Sequence, residues 1–312
     1  MRPGYGVILL PYSVSYQRIL ETTRHAEALG FDSVWISDHL QRGLTPTLEC
    51  WSTISALIAS TKRVRLGSLA TCNSFRNPLL LAKMVSTIYE ISPKRVELAI
   101  GLGYDPKEHA AGGFPFLSSD QRIEKLEETL QIIQSLWTRK KTTFKGKYWK
   151  IENAVCEPKP SSLPRIWVAG RNKKLFEIAS KYAQGVNILP YSGTMENRRI
   201  SSFEELEQIV DKIDSYGSLA KSLYCGDGGL VIGKDDRDYA RKLKRAAYSQ
   251  GLSEAQLTGR LRNLSILYGT VGECKDRCEK LARIGFEELM IIFSGWQKGN
   301  YESMDLFAKE MC

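Results

Sequence analysis

The sequence predicts an α/β protein that folds as a closed (β/α)8 barrel. Short apolar runs rich in β-branched residues alternate with longer helical patterns along the whole 312-residue chain, as in sheets built from βα units. We count eight such runs, whereas an open doubly wound sheet usually has about five to seven strands. Because single barrels of this class often exceed about 250 residues, residues 1–312 are predicted to form one domain.

The eight predicted strands are residues 5–10, 33–37, 64–70, 95–100, 165–169, 185–189, 228–232 and 288–293. The clearest helices are predicted at residues 15–30, which end on the helix terminator Gly30, and at residues 121–137. The connections between elements are uneven in length. The barrel is therefore predicted to carry inserted loops.

The most basic stretch, residues 138–150, interleaves six lysines and arginines with Phe144, Tyr148 and Trp149. On a chain with a formal charge of +9, this pattern is compatible with a nucleic-acid surface on which the rings stack bases. The alternative, which we favour, is a twisted hairpin with its aromatic rings packed inward, inserted at about residues 138–162. Nucleic acid is therefore not an expected partner.

Composition favours a cytoplasmic protein without membrane contact. No apolar run approaches the roughly 20 residues that span a bilayer, and the run near the N-terminus is too short for a secretion signal. The seven cysteines are odd in number and mostly far apart, which is typical of reduced thiols. Cys274 and Cys278 lie four residues apart, but nothing nearby completes a zinc site, so no metal is predicted.

An acid and an imidazole, Asp38 and His39, directly follow the second predicted strand. In (β/α)8 barrels the chemistry lies where the strands end, so this pair is the leading candidate for a catalytic site. The alternative is that Asp38 only caps a turn and His39 packs against it.

A second candidate site follows the fifth predicted strand. Gly170 turns the chain there, and a helix begins with Arg171, Asn172, Lys173 and Lys174 in or next to its first turn. Cations at that end oppose the helix dipole, whereas a bound anion would gain from the dipole, from free N–H groups and from the basic side chains. We therefore predict a phosphate site, with solvated lysines as the alternative.

Two familiar phosphate motifs are rejected. Residues 101–104, GLGY, have two glycines of a dinucleotide fingerprint, but Pro106 stands where the third is needed. Residues 228–235 match the spacing of a P-loop except for Asp235, where magnesium binding needs Ser or Thr. The chain also lacks the G-x-S-x-G motif of many hydrolases.

Four blocks of sequence, at residues 26–40, 71–103, 158–170 and 270–292, resemble the bacterial luciferase-like flavin and deazaflavin oxidoreductases. They include FDSVWISDHL and VELAIGLG, and they occur in the family's order over most of the chain. The resemblance implies a TIM barrel that binds coenzyme F420 or, alternatively, FMN at its C-terminal mouth.

The resemblance also suggests roles for individual residues. Asp38 and His39 would contact cofactor and substrate, and a non-prolyl cis peptide would join Leu69 to Ala70 against the ring system. Thr71 and Gly103 would complete the ring site.

The cofactor phosphate would lie at residues 170–174. We favour F420 over FMN because its tail carries several carboxylates that need a basic rim. That rim would use Arg171, Lys173 and Lys174, together with Arg198 and Arg199.

Several departures from the family pattern limit which residue roles can be carried over to this sequence. Acids that some members carry after the first and fourth strands are replaced here by Ser13 and Pro106, and a tryptophan of the sugar-phosphate branch by Gly43. We therefore do not expect glucose 6-phosphate as the substrate. Glu108 and His109 remain candidates for proton handling.

The expected activity is hydride transfer between C5 of F420 and a small organic substrate such as a pterin, an alcohol or ketone, or an enone. Asp38, His39 and Glu108 are the predicted catalytic residues, with histidine suited to proton transfer near neutral pH. The alternatives are an FMN-dependent monooxygenase and a non-catalytic flavin-binding protein. A homodimer is expected, with residues 79–88 as a candidate interface.

Overall fold

The computed structural model describes residues 2–192 and 199–312. Its strands β1 to β14 are Gly4–Leu9, Ser33–Ile36, Arg65–Cys72, Val96–Gly101, Thr142–Lys145, Lys150–Ala154, Arg165–Ala169, Gly185–Ile188, Tyr191–Ser192, Arg199–Ile200, Ala220–Leu230, Ile232–Gly233, Gly269–Thr270 and Glu288–Phe293. Its helices α1 to α11 are Tyr16–Leu29, Cys50–Ser60, Pro78–Ile91, Pro106–Ala111, Ser119–Thr138, Lys173–Tyr182, Phe203–Asp214, Asp236–Ser249, Glu254–Leu264, Val271–Ile284 and Glu302–Met311.

Eight of these strands form a closed barrel in the order β1-β14-β11-β8-β7-β4-β3-β2. The pairings β3–β4, β4–β7, β1–β14 and β11–β14 are all parallel, and helices connect the strands along the chain. The predicted (β/α)8 barrel is confirmed. Among the described residues, no helix is long and apolar enough to cross a bilayer.

The chain divides into two compact units, and the first comprises residues 10–16 and 35–186. Its core contains the wholly buried Trp35, Trp51 and Trp167. Gly67 in β3 crosses directly over one of these indoles, since a Cβ built there would lie 2.4 Å from Trp35. Only glycine fits this crossing, which keeps β3 close to β2.

The second unit comprises residues 1–9, 17–34 and 187–312. Its core includes an aromatic cluster in which Phe307 of α11 packs edge-on against Tyr5 of β1 and Phe293 of β14, with ring centroids 5.0 and 5.5 Å apart. Phe31 stacks on the same ring. The helix predicted over residues 15–30 is confirmed as α1, and it buries Ile19, Thr23 and Ala26.

The prediction of the seventh barrel strand was wrong in position. Residues 228–232 overlap only its end; β11 runs from Ala220 to Leu230 and pairs with β14 from Ser222 onward. The polar residues Lys221 and Ser222 concealed the strand, although both are buried. The Lys221 ammonium is compensated there by Asp214, 2.7 Å away.

The lysine-rich insertion is an antiparallel hairpin of β5 and β6, as we favoured. Its turn is held by Glu128 of α5, whose carboxylate accepts the backbone N–H groups of residues 147, 148 and 149 at 2.7–3.0 Å. Trp149 packs inward and donates its indole N–H to Thr129, while the Lys125 ammonium lies 4.8 Å from its ring centroid. The rings at Tyr148 and Trp149 are thus engaged with the protein itself.

Candidate active site

The predicted site residues lie at or after the C-terminal ends of β2, β3, β4 and β7, all within the unit of residues 10–16 and 35–186. Strands β3, β4 and β7 are consecutive in the barrel, and β2 flanks β3. Because the carboxyl ends of parallel strands share one rim of a barrel, loops far apart in sequence meet there.

The Asp38 side chain is fully buried and paired with Arg76, a residue that the sequence analysis did not single out. Arg76, from the loop between β3 and α3, donates to both carboxylate oxygens of Asp38 at 2.6 and 2.8 Å. The backbone N–H of Cys72 donates to Asp38 Oδ2 at 2.9 Å. Burial alone would lower the pKa of Arg76, but its hydrogen bonds to the Asp38 carboxylate raise it instead.

The same guanidinium reaches Glu49, which accepts from Arg76 Nη2 at 2.5 Å and caps α2 by accepting the N–H groups of Trp51 and Ser52. Burial would raise the pKa of Glu49, but hydrogen bonds from Ser52 and Arg76 outweigh that and lower it. Arg76 therefore ties together the loop after β2, the start of α2 and the end of β3.

His39 and Glu108 form a hydrogen-bonded dyad. Glu108, from α4, is buried, and its Oε2 lies 2.8 Å from His39 Nδ1. Its other oxygen accepts the backbone N–H groups of Leu40 and Gln41, at 2.5 and 3.2 Å. Because all these bonds use carboxylate oxygens as acceptors, Nδ1 is the nitrogen that donates. Nε2 of His39 is then the acceptor nitrogen of the ring.

Two tyrosines flank the His39 ring edge-on. Tyr104 has its ring centroid 5.6 Å away and its hydroxyl 3.4 Å from His39 Nε2. Tyr12 lies at 5.9 Å, and its hydroxyl is 2.7 Å from that of Ser37. Burial raises the pKa of Tyr12, whereas Tyr104 is 54% exposed.

The Leu69–Ala70 peptide bond is cis, as the resemblance suggested. It interrupts the register of β3 against β4 between Ser68 and Thr71. The Thr71 hydroxyl is turned inward, where it accepts from the indole N–H of Trp51 at 3.2 Å. Two residues later, Asn73 is 4% exposed, and its Oδ1 has no hydrogen-bond partner among the described residues.

Gly103 follows β4 with a φ of +73°, and a Cβ there would lie 2.5 Å from Cys72 Sγ. His109 packs on the same spot, with Nε2 3.9 Å from that thiol and Nδ1 donating to the carbonyl of Asp105 at 2.7 Å. Burial raises the pKa of Cys72 to about 12. His109 is fully buried in this contact and is separate from the dyad.

The predicted phosphate loop lies at the start of α6, next to the β3 bulge. A Cβ built on Gly101 would lie 3.5 Å from both Ala70 and Ala169, so the ends of β3, β4 and β7 are adjacent. Asn172 caps α6 by accepting the N–H of Lys174 at 2.9 Å, and the Lys174 ammonium pairs with Asp120 at 2.7 Å. Lys173 is exposed.

The basic rim has fewer available cations than the sequence predicted. Arg199 makes a two-pronged pair with Glu205, at 2.7 and 2.8 Å, and Arg198 lies outside the described residues. Sequence reasoning also missed Arg76, Asn73 and Tyr104 as site residues. Their signal was only their position one to four residues after a barrel strand, because burial and pairing are invisible in sequence.

Residues 4–251 match the luciferase-like monooxygenase family. The chain belongs to that family. This luciferase-like chain is 32% identical over 177 residues to an F420-dependent glucose-6-phosphate dehydrogenase of Intrasporangium calvum, covering 54% of this chain and 52% of that protein. It is 28% identical over 190 residues to an F420-dependent hydroxymycolic acid dehydrogenase of Mycobacterium tuberculosis, covering 58% and 51%. The luciferase-like chain thus spans about half the length of the curated relatives it matches.

Solved structures show the same fold. An F420-dependent secondary alcohol dehydrogenase in complex with an F420-acetone adduct superimposes with a TM-score of 0.80 at 18% identity, covering 99% of this luciferase-like chain and 98% of that chain.

Proposed function

We propose that the chain is an F420-dependent oxidoreductase that interconverts a secondary alcohol and a ketone. The observation that carries this proposal is the Glu108–His39 dyad, which presents one acceptor nitrogen at the mouth of a barrel. Alcohol oxidation needs a base for the hydroxyl proton. The relatives named above, two of them dehydrogenases matched by sequence, support the cofactor and the reaction type.

The residues at this mouth fit a deazaflavin. The ring edge of F420 carries an N–H donor, and the buried, unpartnered Oδ1 of Asn73 is an acceptor of the matching kind. The backbone of Leu69, Ala70 and Thr71 and the glycine at 103 would border the ring. When bound, F420 supplies a hydride acceptor or donor at C5.

The phosphate end of the cofactor would use Gly170, Arg171 and Lys173. Asn172 and Lys174 would contribute through the helix start, because Asn172 already caps α6 and Lys174 already pairs with Asp120. This division supports a single phosphate contact followed by a modest basic rim.

Asp38 acts in this scheme as a positioning residue. Both its oxygens are engaged by Arg76 and Cys72, and its side chain has no exposed surface, so it holds the β3 bulge against the loop of His39. His39 is the base that finally receives or returns the proton of the substrate hydroxyl group, and Glu108 keeps its ring in the required tautomer. Glucose 6-phosphate is not proposed as the substrate, because the tryptophan of the sugar-phosphate branch is replaced here by Gly43. This glycine lies in an open turn, with nothing within 4 Å of its Cβ position.

The direct test combines binding and turnover. The purified protein is heated alone, with F420 and with FMN, and the loss of F420 absorbance is followed with propan-2-ol, cyclohexanol and glucose 6-phosphate. We expect stabilisation by F420 and turnover of a secondary alcohol. Stabilisation by FMN alone would favour the monooxygenase alternative, and F420 binding without any turnover would favour the non-catalytic one.

Asn73→Ala is the matched binding variant. Because Asn73 Oδ1 has no partner in the part of the chain that the structure describes, its removal breaks no hydrogen bond seen there, and we expect an unchanged melting temperature without cofactor. Loss of one neutral hydrogen bond weakens F420 binding about 3- to 10-fold. Unchanged F420 affinity would remove Asn73 from the site.

We also propose a homodimer that uses α3. Within residues 79–88, Leu81, Ala82 and Val85 are buried in the protein's own core, but Leu80 is 54% exposed and Ile91, at the end of the helix, 52%. Light scattering of the wild type and of Leu80→Glu tests this. A monomeric wild type would overturn it.

A further inference from the structure

We propose that Tyr104 is the catalytic residue that exchanges the proton with the substrate, and that His39 and Glu108 form the relay behind it. This inference rests on the proposed alcohol–ketone function. It adds a third member to the dyad and restricts the reaction to substrates whose oxygen gains or loses a proton.

The geometry is a linear chain of three acid–base groups. Glu108 Oε2 is 2.8 Å from His39 Nδ1, and the Tyr104 hydroxyl is 3.4 Å from His39 Nε2. Both nitrogens of the imidazole are therefore occupied, one by the carboxylate and the other by the phenol. Catalytic hydrogen bonds are often long before substrate binds and shorten in the reacting complex.

Exposure along this chain rises toward the phenol. The side chain of Glu108 is 3% exposed and that of His39 13%, whereas Tyr104 is 54% exposed. A substrate arriving from solvent meets the hydroxyl of Tyr104 before it meets the imidazole. The phenol is thus placed as the terminal group of the chain.

Tyr12 is the natural comparison, because its ring lies nearly as close to His39. Its hydroxyl, however, is paired with Ser37 at 2.7 Å, and the residue is half-buried. Only Tyr104, of these two tyrosines, brings its hydroxyl to an imidazole nitrogen.

The proton balance is simple. In alcohol oxidation the substrate O–H proton moves to the Tyr104 oxygen while the phenolic proton moves to His39 Nε2, and the carbinol carbon gives its hydride to the coenzyme. The products are a ketone, the reduced coenzyme and an imidazolium paired with Glu108. That imidazolium then releases its proton to water, and ketone reduction runs the same steps backward.

The exposure of Tyr104 separates this role from a structural one. A side chain that is half in water contributes little to the core, so Tyr104→Phe should leave the melting temperature unchanged. Phenylalanine keeps the ring against His39 and removes only the hydroxyl. The matched control is Tyr12→Phe, which removes a hydroxyl from the other flanking ring.

The experiment has one readout without coenzyme and one with it. In the protein labelled with ¹⁵N-histidine, which has three histidines, the His39 Nε2 resonance should move in Tyr104→Phe and stay in place in Tyr12→Phe. With F420 and propan-2-ol or cyclohexanol, Tyr104→Phe should lower kcat about 100-fold. Its KM and F420 affinity should remain within about twofold of the wild type, and Tyr12→Phe should keep the wild-type kcat.

The outcomes distinguish this inference from the proposed function. A wild type that fails to turn over any secondary alcohol with F420 overturns both. An active wild type whose Tyr104→Phe variant keeps its kcat overturns only the role of Tyr104. A lower kcat with an unmoved His39 resonance overturns the relay through His39, as does an equal loss in Tyr12→Phe.

Discussion

Arg76 and Asp38 form a two-pronged ion pair, with donor–acceptor distances of 2.6 and 2.8 Å, and their side chains are 7% and 0% exposed. The pair joins the loop after β2, which carries His39, to the loop after β3, the strand that contains the Leu69–Ala70 cis peptide. Both partners are withdrawn from water, so solvent screens their attraction little.

Removing one partner of this pair should be costly. Asp38→Asn breaks the buried ion pair and leaves the Arg76 guanidinium with Glu49 as its remaining acidic partner; breaking a buried pair costs about 3–5 kcal/mol. We expect the free energy of unfolding in urea to fall by about 3 kcal/mol. Asp120→Asn is the control, since its pair with Lys174 lies in water, and it should unfold at the wild-type urea concentration.

Gly103→Ala should destabilise the protein through a steric conflict. The new methyl group would lie 2.5 Å from Cys72 Sγ at a φ of +73°, which combines about 1–2 kcal/mol of backbone strain with about 1–3 kcal/mol of overpacking. Gly113→Ala, at a φ of +72° with nothing nearby, should lose only the first amount. Adding Cys72→Ala to Gly103→Ala should restore part of the difference in urea unfolding; no restoration would contradict the contact.

Glu108→Gln should inactivate the enzyme while preserving its shape. The glutamine oxygen can still accept from Leu40 and Gln41, but its amide would face His39 Nδ1 as a donor and favour the opposite tautomer. We expect kcat for alcohol oxidation with F420 to fall about 1,000-fold. Glu90→Gln, at an exposed position of α3, should retain full activity, and a comparable kcat in both variants would argue against the dyad.

The thiols should react in two classes. Cys312 is exposed and the other six cysteines are buried. Although Cys312 is the exposed cysteine, partial burial of its thiol raises the thiol pKa to about 11. Only about one thousandth of this thiol is therefore thiolate at pH 8. Labelling of the native protein with a disulfide reagent should therefore be slow, should involve one thiol, and should accelerate about tenfold per pH unit from pH 8 to 10. Cys312→Ser should abolish it; rapid labelling of several thiols would contradict the burial.

The hairpin should depend on one carboxylate. Glu128→Ala removes the acceptor for three backbone N–H groups of the β5–β6 turn, and we expect faster proteolytic cleavage near residue 146. The effect on global unfolding should be about 1–2 kcal/mol. Glu127→Ala, next to it on α5 but 3.9 Å from Lys181, should resist proteolysis like the wild type.

The barrel was predictable because most of its strands are recognisable in the sequence as short apolar runs. The exception is instructive: β11 carries Lys221 and Ser222 at buried positions, and the lysine is tolerated only because Asp214 on α7 lies 2.7 Å away. This compensation comes from tertiary packing, which the sequence pattern does not show. The prediction from the apolar pattern therefore began the strand eight residues too late.

The location of the site was predictable from the sequence, but the hydrogen bonds and ion pairs between its side chains were not. Sequence placed Asp38 and His39 at a strand end, and the family resemblance supplied the cis peptide at Leu69–Ala70. Neither source indicated that Asp38 is taken up by Arg76, or that His39 turns to Glu108. Which acid meets which base depends on side-chain packing between loops 38 and 69 positions apart, and that is settled only when the chain is folded.

Glu108 both orients the His39 imidazole and fastens the backbone of Leu40 and Gln41. Natural selection for an ordered loop and selection for turnover therefore act on the same side chain. Relatives without the proposed reaction would still need this acid to order the loop, whereas the half-exposed Tyr104 would be under less structural constraint.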